Sequence, residues 1–399
     1  MHVIILCFWV SVAVLGYSYL GYPALMWLWA RLRPRPSAPV PCQPRLSVVI
    51  VAYNEAHQIE RRIRDLLAQD YPAERREIIV ASDGSRDDTA ARARRVRSPG
   101  VRVVEFTVRR GKSAVLDEVI PWAHGDVVVL TDARQHFAPG ALRMLTAQFS
   151  DPEVGAVGGE LVLMDGPAGS EVVRGVDAYW RYEKFIRRHE SLVDSTVGAS
   201  GSIYALRRVL FRTIPADIIL DDVLVPMSIA RQGYRVLFEP RARAYDRIAP
   251  SAQAEFRRKV RTLAGNFQLL LRARWLWNPR TNRLWLQTIS HKLCRLLCPG
   301  FLALAFICNL LLWPLPGYRT LLALQLAFYA AALGGRYLRK SGNRLLLLNV
   351  PYAFCLLNWA TVMGLVEFLN GRQRATWEIA GMASAIGGGP VREWRQPET

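Results

Sequence analysis

Apolar positions follow two different rhythms along this chain. Long unbroken apolar stretches stand near both ends, and short apolar runs alternate with helically spaced ones in between. A helix needs about 20 apolar residues to cross a bilayer. Four stretches reach that length: roughly Val3–Ala30, Leu297–Leu315, Leu321–Leu338 and Leu345–Leu369. The first starts like a signal peptide but runs long, with no small-residue cleavage site before its basic flank, so it reads as an uncleaved anchor. A proline-rich linker, residues 33–45, leads away from it.

The middle of the chain alternates. Leu46–Ala52 is a short apolar run that suits a strand buried on both faces. Ala56–Gln69 carries helical spacing at Ile59, Ile63, Leu66 and Leu67. Strands are expected at Glu77–Ser82, Val101–Phe106 and Asp126–Thr131, with helices at Asp87–Val96 and Lys112–Trp122 between them. This rhythm predicts an α/β domain with a mostly parallel sheet covered by helices on both faces. After Gly158 the pattern loosens into two long helices, Asp177–Ser191 and Gln253–Arg272. The second sets Phe256, Val260, Leu263 and Phe267 against Arg257, Arg258 and Arg261, the pattern of a helix lying in a membrane interface. The expected division is an anchor at 1–32, the linker, an α/β domain at 46–250, interfacial helices at 251–290, membrane helices at 291–370 and a tail at 371–399.

A net charge of +19 first suggests nucleic acid, but its distribution argues against that partner. Arg31, Arg33 and Arg35 follow the first apolar stretch, and Arg336, Arg339, Lys340 and Arg344 lie between the last two. Arginine in short loops marks the cytoplasmic face and meets anionic lipid. The expectation is therefore a multi-pass protein of the inner, or plasma, membrane with its central domain in the cytoplasm. Arg92, Arg94, Arg95 and Arg97 read as a solvated helix face. The six cysteines lie mostly in apolar stretches, and no zinc-like spacing or H-E-x-x-H occurs.

Carboxylates carry the candidate chemistry. Glu55, Asp83 and Asp132 each follow a predicted strand, and Asp221-Asp222 stand further on. In open α/β sheets, ligands bind at the carboxyl ends of the strands. Helix capping is the alternative for such acids, above all for Asn54, Asp87 and Asp88.

The ordered set Val48–Glu55, Ser82-Asp83-Gly84-Ser85, Arg110-Gly111-Lys112-Ser113, Thr131-Asp132-Ala133, Gly198-Ala199-Ser200-Gly201-Ser202 and Asp221-Asp222 resembles the family 2 glycosyltransferases, in their membrane-integrated branch. The resemblance covers residues 45–275 and implies a GT-A fold, a nucleotide-diphosphate sugar as donor (a UDP-sugar is the expectation) and Mg²⁺ or Mn²⁺. By the same resemblance, Tyr53, Glu55 and Asp83 hold the base and ribose, Lys112 assists near the nucleotide and Asp132 binds the metal. Asp222 is the catalytic base of an inverting displacement, tuned by Asp221. Gly198, Ser200, Gly201 and Ser202 line the acceptor side.

Two departures stand out. Arg134 occupies the place of the family's second metal-binding acid. The Gln-x-x-Arg-Trp motif of the processive synthases reads Arg258-Lys259-Val260-Arg261-Thr262 here: Arg261 keeps the arginine for the diphosphate, Arg258 replaces the glutamine, and the sugar-stacking tryptophan is lost. The expectation is distributive transfer to a lipid, a lipid-linked sugar or a saccharide. A processive synthase coupled to export, with possible partner subunits, is the alternative, and an inactive nucleotide-sugar-binding regulator is a third reading. Arg372–Glu378 resembles a tail that the synthases place beside the active site, which leaves open whether the last apolar stretch fully spans.

Overall fold

The computed structural model describes residues 1–164, 172–247, 252–340 and 346–371; the tail motif at 372–378 lies outside them. The strands are β1 (Leu46–Ala52), β2 (Arg76–Asp83), β3 (Val101–Phe106), β4 (Val127–Asp132), β5 (His136–Phe137), β6 (Val154–Met164), β7 (Tyr204–Arg207) and β8 (Arg235–Arg247). The helices of the domain are α3 (Ile59–Leu67), α4 (Thr89–Arg95), α5 (Lys112–Val119), α6 (Ala141–Ala147), α7 (Val172–Val193), α8 (Asp221–Arg231) and α9 (Ala252–Arg272). Flanking them are α1 (His2–Gly16) and α2 (Tyr22–Leu32) before, and α10 (Trp285–Gln287), α11 (Cys294–Leu311), α12 (Pro316–Lys340) and α13 (Leu346–Leu369) after.

The eight strands form one sheet in the order β3-β2-β1-β4-β7-β6-β8-β5. β1 to β4 are parallel, as the alternating rhythm predicts. Beyond β4 the sheet turns mixed: β7 runs antiparallel to both neighbours, and β6 pairs parallel with β8. Successive side chains of a strand face opposite ways. Val49 and Leu130 therefore join α5 and α8 on one face, while Val48, Ile50 and Val129 meet Ile59, Ile63 and Leu66 of α3 on the other. The first of these cores runs on through Leu269, Leu284 and Leu296, so it joins the domain to the helices that lead into the membrane part.

Register places the chemistry. Ala52 lies opposite Ser82, and Val51 opposite Asp132, so β1, β2 and β4 end together along one edge. Antiparallel β7 begins at that edge, with Tyr204 opposite Leu130, and this brings the 198–202 loop to the same place. The helix expected from Ala56 starts only at Ile59, because the preceding loop is held otherwise. Asn54 adopts a left-handed φ of 54°, and its side chain accepts from the backbone of Arg86.

Among the described residues, three helical stretches are long and apolar enough to cross a membrane: His2–Leu32, Trp285–Leu311 and Leu348–Leu369. The stretch expected at 321–338 is helical within α12, but Gln325 and Arg336 make its described part less apolar than the other three. Two of the spans contain a widened π turn, Tyr17–Gly21 and Thr288–Leu293. These turns face each other through a 2.7 Å hydrogen bond between Tyr17 Oη and Ser290 Oγ.

Candidate active site

Lys112 is the first residue of α5, where Gly111 turns the chain with φ 92°. Its Nζ donates to Asp132 Oδ1 at 2.8 Å and lies 3.8 Å from Asp221 Oδ2. Burial works against charge on this lysine, but the carboxylates outweigh it and raise its pKa. Burial likewise opposes ionisation of Asp132, yet Lys112 and Arg134 outweigh it and hold the acid below its usual range. Asp221 goes the other way. It is buried, next to Asp222 and Asp132, and its pKa is pushed up to about 6 despite Lys112. Acids so close divide into stronger and weaker members.

The two acids of α8 do not cap it. Leu220 holds the cap position, and Asp221 and Asp222 sit in the first turn, where the helix dipole favours negative charge. The 198–202 loop wraps this turn. Gly201 N–H donates to Asp222 Oδ2 at 2.9 Å, and Ala199 N–H donates to the Asp222 carbonyl at 2.7 Å. A Cβ on Gly201 would stand 3.2 Å from Asp222 Oδ2 and 3.5 Å from Lys112 Nζ, so the close approach needs glycine. Tyr204 Oη donates to Asp221 Oδ2 at 3.3 Å.

These groups border a cavity of about 800 Å³. Lys112, Asp132, Ser200, Gly201, Ser202, Asp221 and Asp222 line it, together with Arg258, Arg261 and Thr262 of α9. Burial lowers the pKa of Arg261, which nonetheless lies in the field of Asp221, Asp132 and Asp222. Thr262 turns its hydroxyl back to the carbonyl of Arg258. α9 packs on α13 so closely that a Cβ on Gly364 would meet Leu263 at 2.8 Å.

Tyr53, Glu55 and Asp83 lie outside this lining, at the ends of β1 and β2. Both oxygens of Asp83 accept backbone N–H groups, from Arg110 at 2.7 Å and Gly111 at 2.8 Å, so this acid fixes the loop that presents Lys112. Gly84, with φ 62°, has no room for a side chain against Arg109. The guanidinium of Arg109 lies 3.7 Å above the Tyr53 ring, and Glu55, partnered by Gln58, is raised to about 7 by burial.

Arg62, Asp65, Gln135 and Asp246 also position this site and were not singled out from the sequence. Arg62 is fully buried, paired with Asp65 at 2.5 Å, and donates to Thr131 Oγ1 at 2.8 Å directly before Asp132. Arg134 pairs with buried Asp246 at 3.1 Å, and Gln135 donates to the same oxygen. Among the described residues no three His, Cys, Asp or Glu side chains converge to hold a metal ion by themselves.

Residues 47–214 match the family described as Glycosyl transferase family 2. The chain contains a family 2 glycosyltransferase domain. Among curated proteins, the domain is 25% identical over 232 residues to the poly-beta-1,6-N-acetyl-D-glucosamine synthase of Staphylococcus aureus (strain COL), covering 57% of this chain and 56% of that one. The synthase of the same name from Staphylococcus epidermidis is 25% identical over 235 residues, covering 58% and 56%. The chain thus spans little more than half the length of these relatives. Among solved structures, a mannosyltransferase of Pyrobaculum calidifontis, determined with GDP-mannose and Mn²⁺, superposes with a TM-score of 0.70 at 23% identity. The match covers 91% of this chain and 99% of that one, so the shared fold runs through the GT-A domain and its flanking helices.

Proposed function

We propose that this domain is an inverting glycosyltransferase that moves a sugar from a nucleotide-diphosphate sugar to an acceptor held in the cavity. The observation that carries the reading is Asp222, fixed by Gly201 N–H at the cavity wall beside Lys112. A carboxylate so placed can take the acceptor hydroxyl proton as its oxygen attacks the anomeric carbon. The bond from that carbon to the diphosphate oxygen breaks, and the nucleoside diphosphate leaves with the electron pair. Lys112, Arg258 and Arg261 offset the charge that develops on it. Asp221, whose acidity is weakened by burial, orients the helix turn through Tyr204 and Lys112. Tyr53, Glu55 and Asp83 form the base and ribose side, with Asp83 acting through the loop it holds.

The residues fit a divalent cation only in part. Asp132 is ionised, and Lys112 takes its Oδ1. Asp132 would hold Mg²⁺ or Mn²⁺ together with donor diphosphate oxygens and water, a set that suits Mg²⁺. When bound, the ion would neutralise the leaving diphosphate. Arg134 adds no ligand, since it is paired with Asp246.

The acceptor mode follows from α9. With Thr262 in place of a stacking aromatic, transfer of one or a few sugars is the leading mode. The poly-N-acetylglucosamine synthase relatives favour processive synthesis as the second reading. The arginines after the first span support an inner-membrane protein with the domain in the cytoplasm. Full-length protein in membranes, given radiolabelled UDP- and GDP-sugars with Mg²⁺ or Mn²⁺, tests these points by product sizing. Short products support distributive transfer, long ones the synthase, and nucleotide binding without turnover of any donor overturns the enzyme reading.

A further inference from the structure

The catalytic groups make up only part of the cavity lining. It continues between the domain and the membrane helices, where its wall changes character. Val350, Ala353, Phe354 and Leu357 of α13 give it an apolar stretch, beside Asn349, Asn358 and Thr361 of the same helix. The lining also carries a group of charges drawn from three different elements: Glu183 and Arg187 on α7, Arg258 and Lys259 on α9, and Lys292 and Arg295 on the Trp285–Leu311 span.

The ion pairs here leave positive charge over. Buried Glu183 meets His291 at 3.1 Å, Arg187 at 3.2 Å and Arg295 at 3.0 Å. Glu190 meets His291 at 2.8 Å and accepts from Tyr22 at 2.5 Å. Glu255 lies 4.0 Å from Arg258. Arg187 and Arg295 are thus paired with Glu183, and Arg258 lies 4.0 Å from Asp246 as well, which leaves Lys259 and Lys292. Lys292 forms no ion pair among the described residues and lines the cavity from the π turn. Lys259 lies 4.3 Å above Tyr179 and 5.1 Å above Trp180, and burial lowers its pKa to about 8 against the pull of Glu255. Burying cations without anions is costly, and ionisable groups placed in a membrane span mark functional sites.

Depth agrees with this. Lys292 lies seven residues into a 27-residue span, roughly 10 Å along a helix that rises 1.5 Å per residue. The whole span is about 40 Å long, longer than the ~30 Å hydrocarbon core. Its first turns therefore reach into the headgroup layer. Lys259 occupies the aromatic faces of Tyr179 and Trp180, and the apolar side chains of α13 offer a hydrocarbon chain a surface that a neutral saccharide does not need.

We propose that this part of the cavity receives an acceptor whose phosphate or diphosphate is anchored on an isoprenoid-like apolar chain, with Lys292 and Lys259 reading the anion and α13 flanking the chain. The inference rests on the glycosyl-transfer reading for the acceptor's role, but its binding test does not.

The full-length protein in neutral phosphatidylcholine nanodiscs is titrated with geranyl phosphate, geraniol and inorganic phosphate. Geranyl phosphate is expected to bind at least tenfold more tightly than either of the others. Lys292→Gln removes a charge that has no ion partner and so should fold; it is expected to abolish that preference while leaving UDP and GDP binding within twofold. Lys259→Gln is expected to reduce it. Equal binding of geranyl phosphate and geraniol overturns the anion site, and inorganic phosphate binding as tightly as geranyl phosphate overturns the lipid chain. Loss of nucleotide affinity in Lys292→Gln assigns the cation to the donor and overturns the proposal. Nucleoside diphosphate release from the donor panel is scored separately: its absence beside tight geranyl phosphate binding sinks the transferase reading and leaves the lipid site standing.

Discussion

Lys112→Met removes the one ammonium lodged between Asp132 and Asp221, at 2.8 and 3.8 Å. At an effective dielectric near 20, each unit-charge contact at about 4 Å carries roughly 4 kcal/mol before desolvation. Removing one partner of a buried pair costs about 3–5 kcal/mol net. The two carboxylates, with Asp222 close by, then have one way to relax, which is to take up protons. Their folded pKa values rise above the unfolded value near 3.9, so the folded state binds more protons and stability falls as pH rises through the new folded values. The variant should therefore lose about 10 °C in Tm at pH 8, taking ~2–4 °C per kcal/mol. It should lose much less at pH 5.5. The assay is thermal unfolding of full-length protein in detergent at both pH values, wild type beside variant. An equal loss at the two pH values would refute the argument, because the lysine would then act through packing and not through charge.

Three further substitutions test neighbouring parts. Asp221→Asn should stabilise the protein at pH 8 by up to ~3 kcal/mol of relieved shift, with the gain shrinking as pH falls through about 6 and gone by about pH 4, because the raised folded pKa of about 6 works against the wild type only where the unfolded acid is ionised; a gain that is constant with pH contradicts this. Arg134→Asp would restore the acid common in the family but set it against buried Asp246, and should destabilise the protein by about 3 kcal/mol or more without strengthening metal dependence, as thermal unfolding and a Mn²⁺ titration of activity can show. Gly201→Ala should press on Asp222 Oδ2 and lower kcat about tenfold with little change in donor KM; a change confined to KM would mean the loop serves donor binding instead.

Much of this architecture is legible in the pattern of residues. The β1–β4 half follows from short apolar runs alternating with helical spacing, and the ordered motifs lead to the right family. The mixed half does not follow, because β6, β7 and β8 pair over long separations that no local period encodes. Asp83, Asp132 and Asp222 stand out through their place after strands or at a helix start. Arg62 does not, since a buried arginine on an amphipathic helix reads like a surface one until Thr131 and Asp65 are seen around it. Arg134 looks like a missing metal ligand in the sequence, whereas the fold gives it Asp246. Lys259 and Lys292 are 33 positions apart on separate helices, and only the folded chain brings them to one cavity.

The central claim is that Asp222 removes the acceptor proton. Full-length wild type and Asp222→Asn are compared for sugar transfer from the donor that turns over, and for binding of that donor. Asparagine keeps the shape and can still meet Gly201 N–H through its carbonyl oxygen, but it cannot accept the proton. The account predicts a loss of transfer of a thousandfold or more, with donor affinity within a few-fold of wild type. Transfer within tenfold of wild type in Asp222→Asn would contradict it and move the base elsewhere.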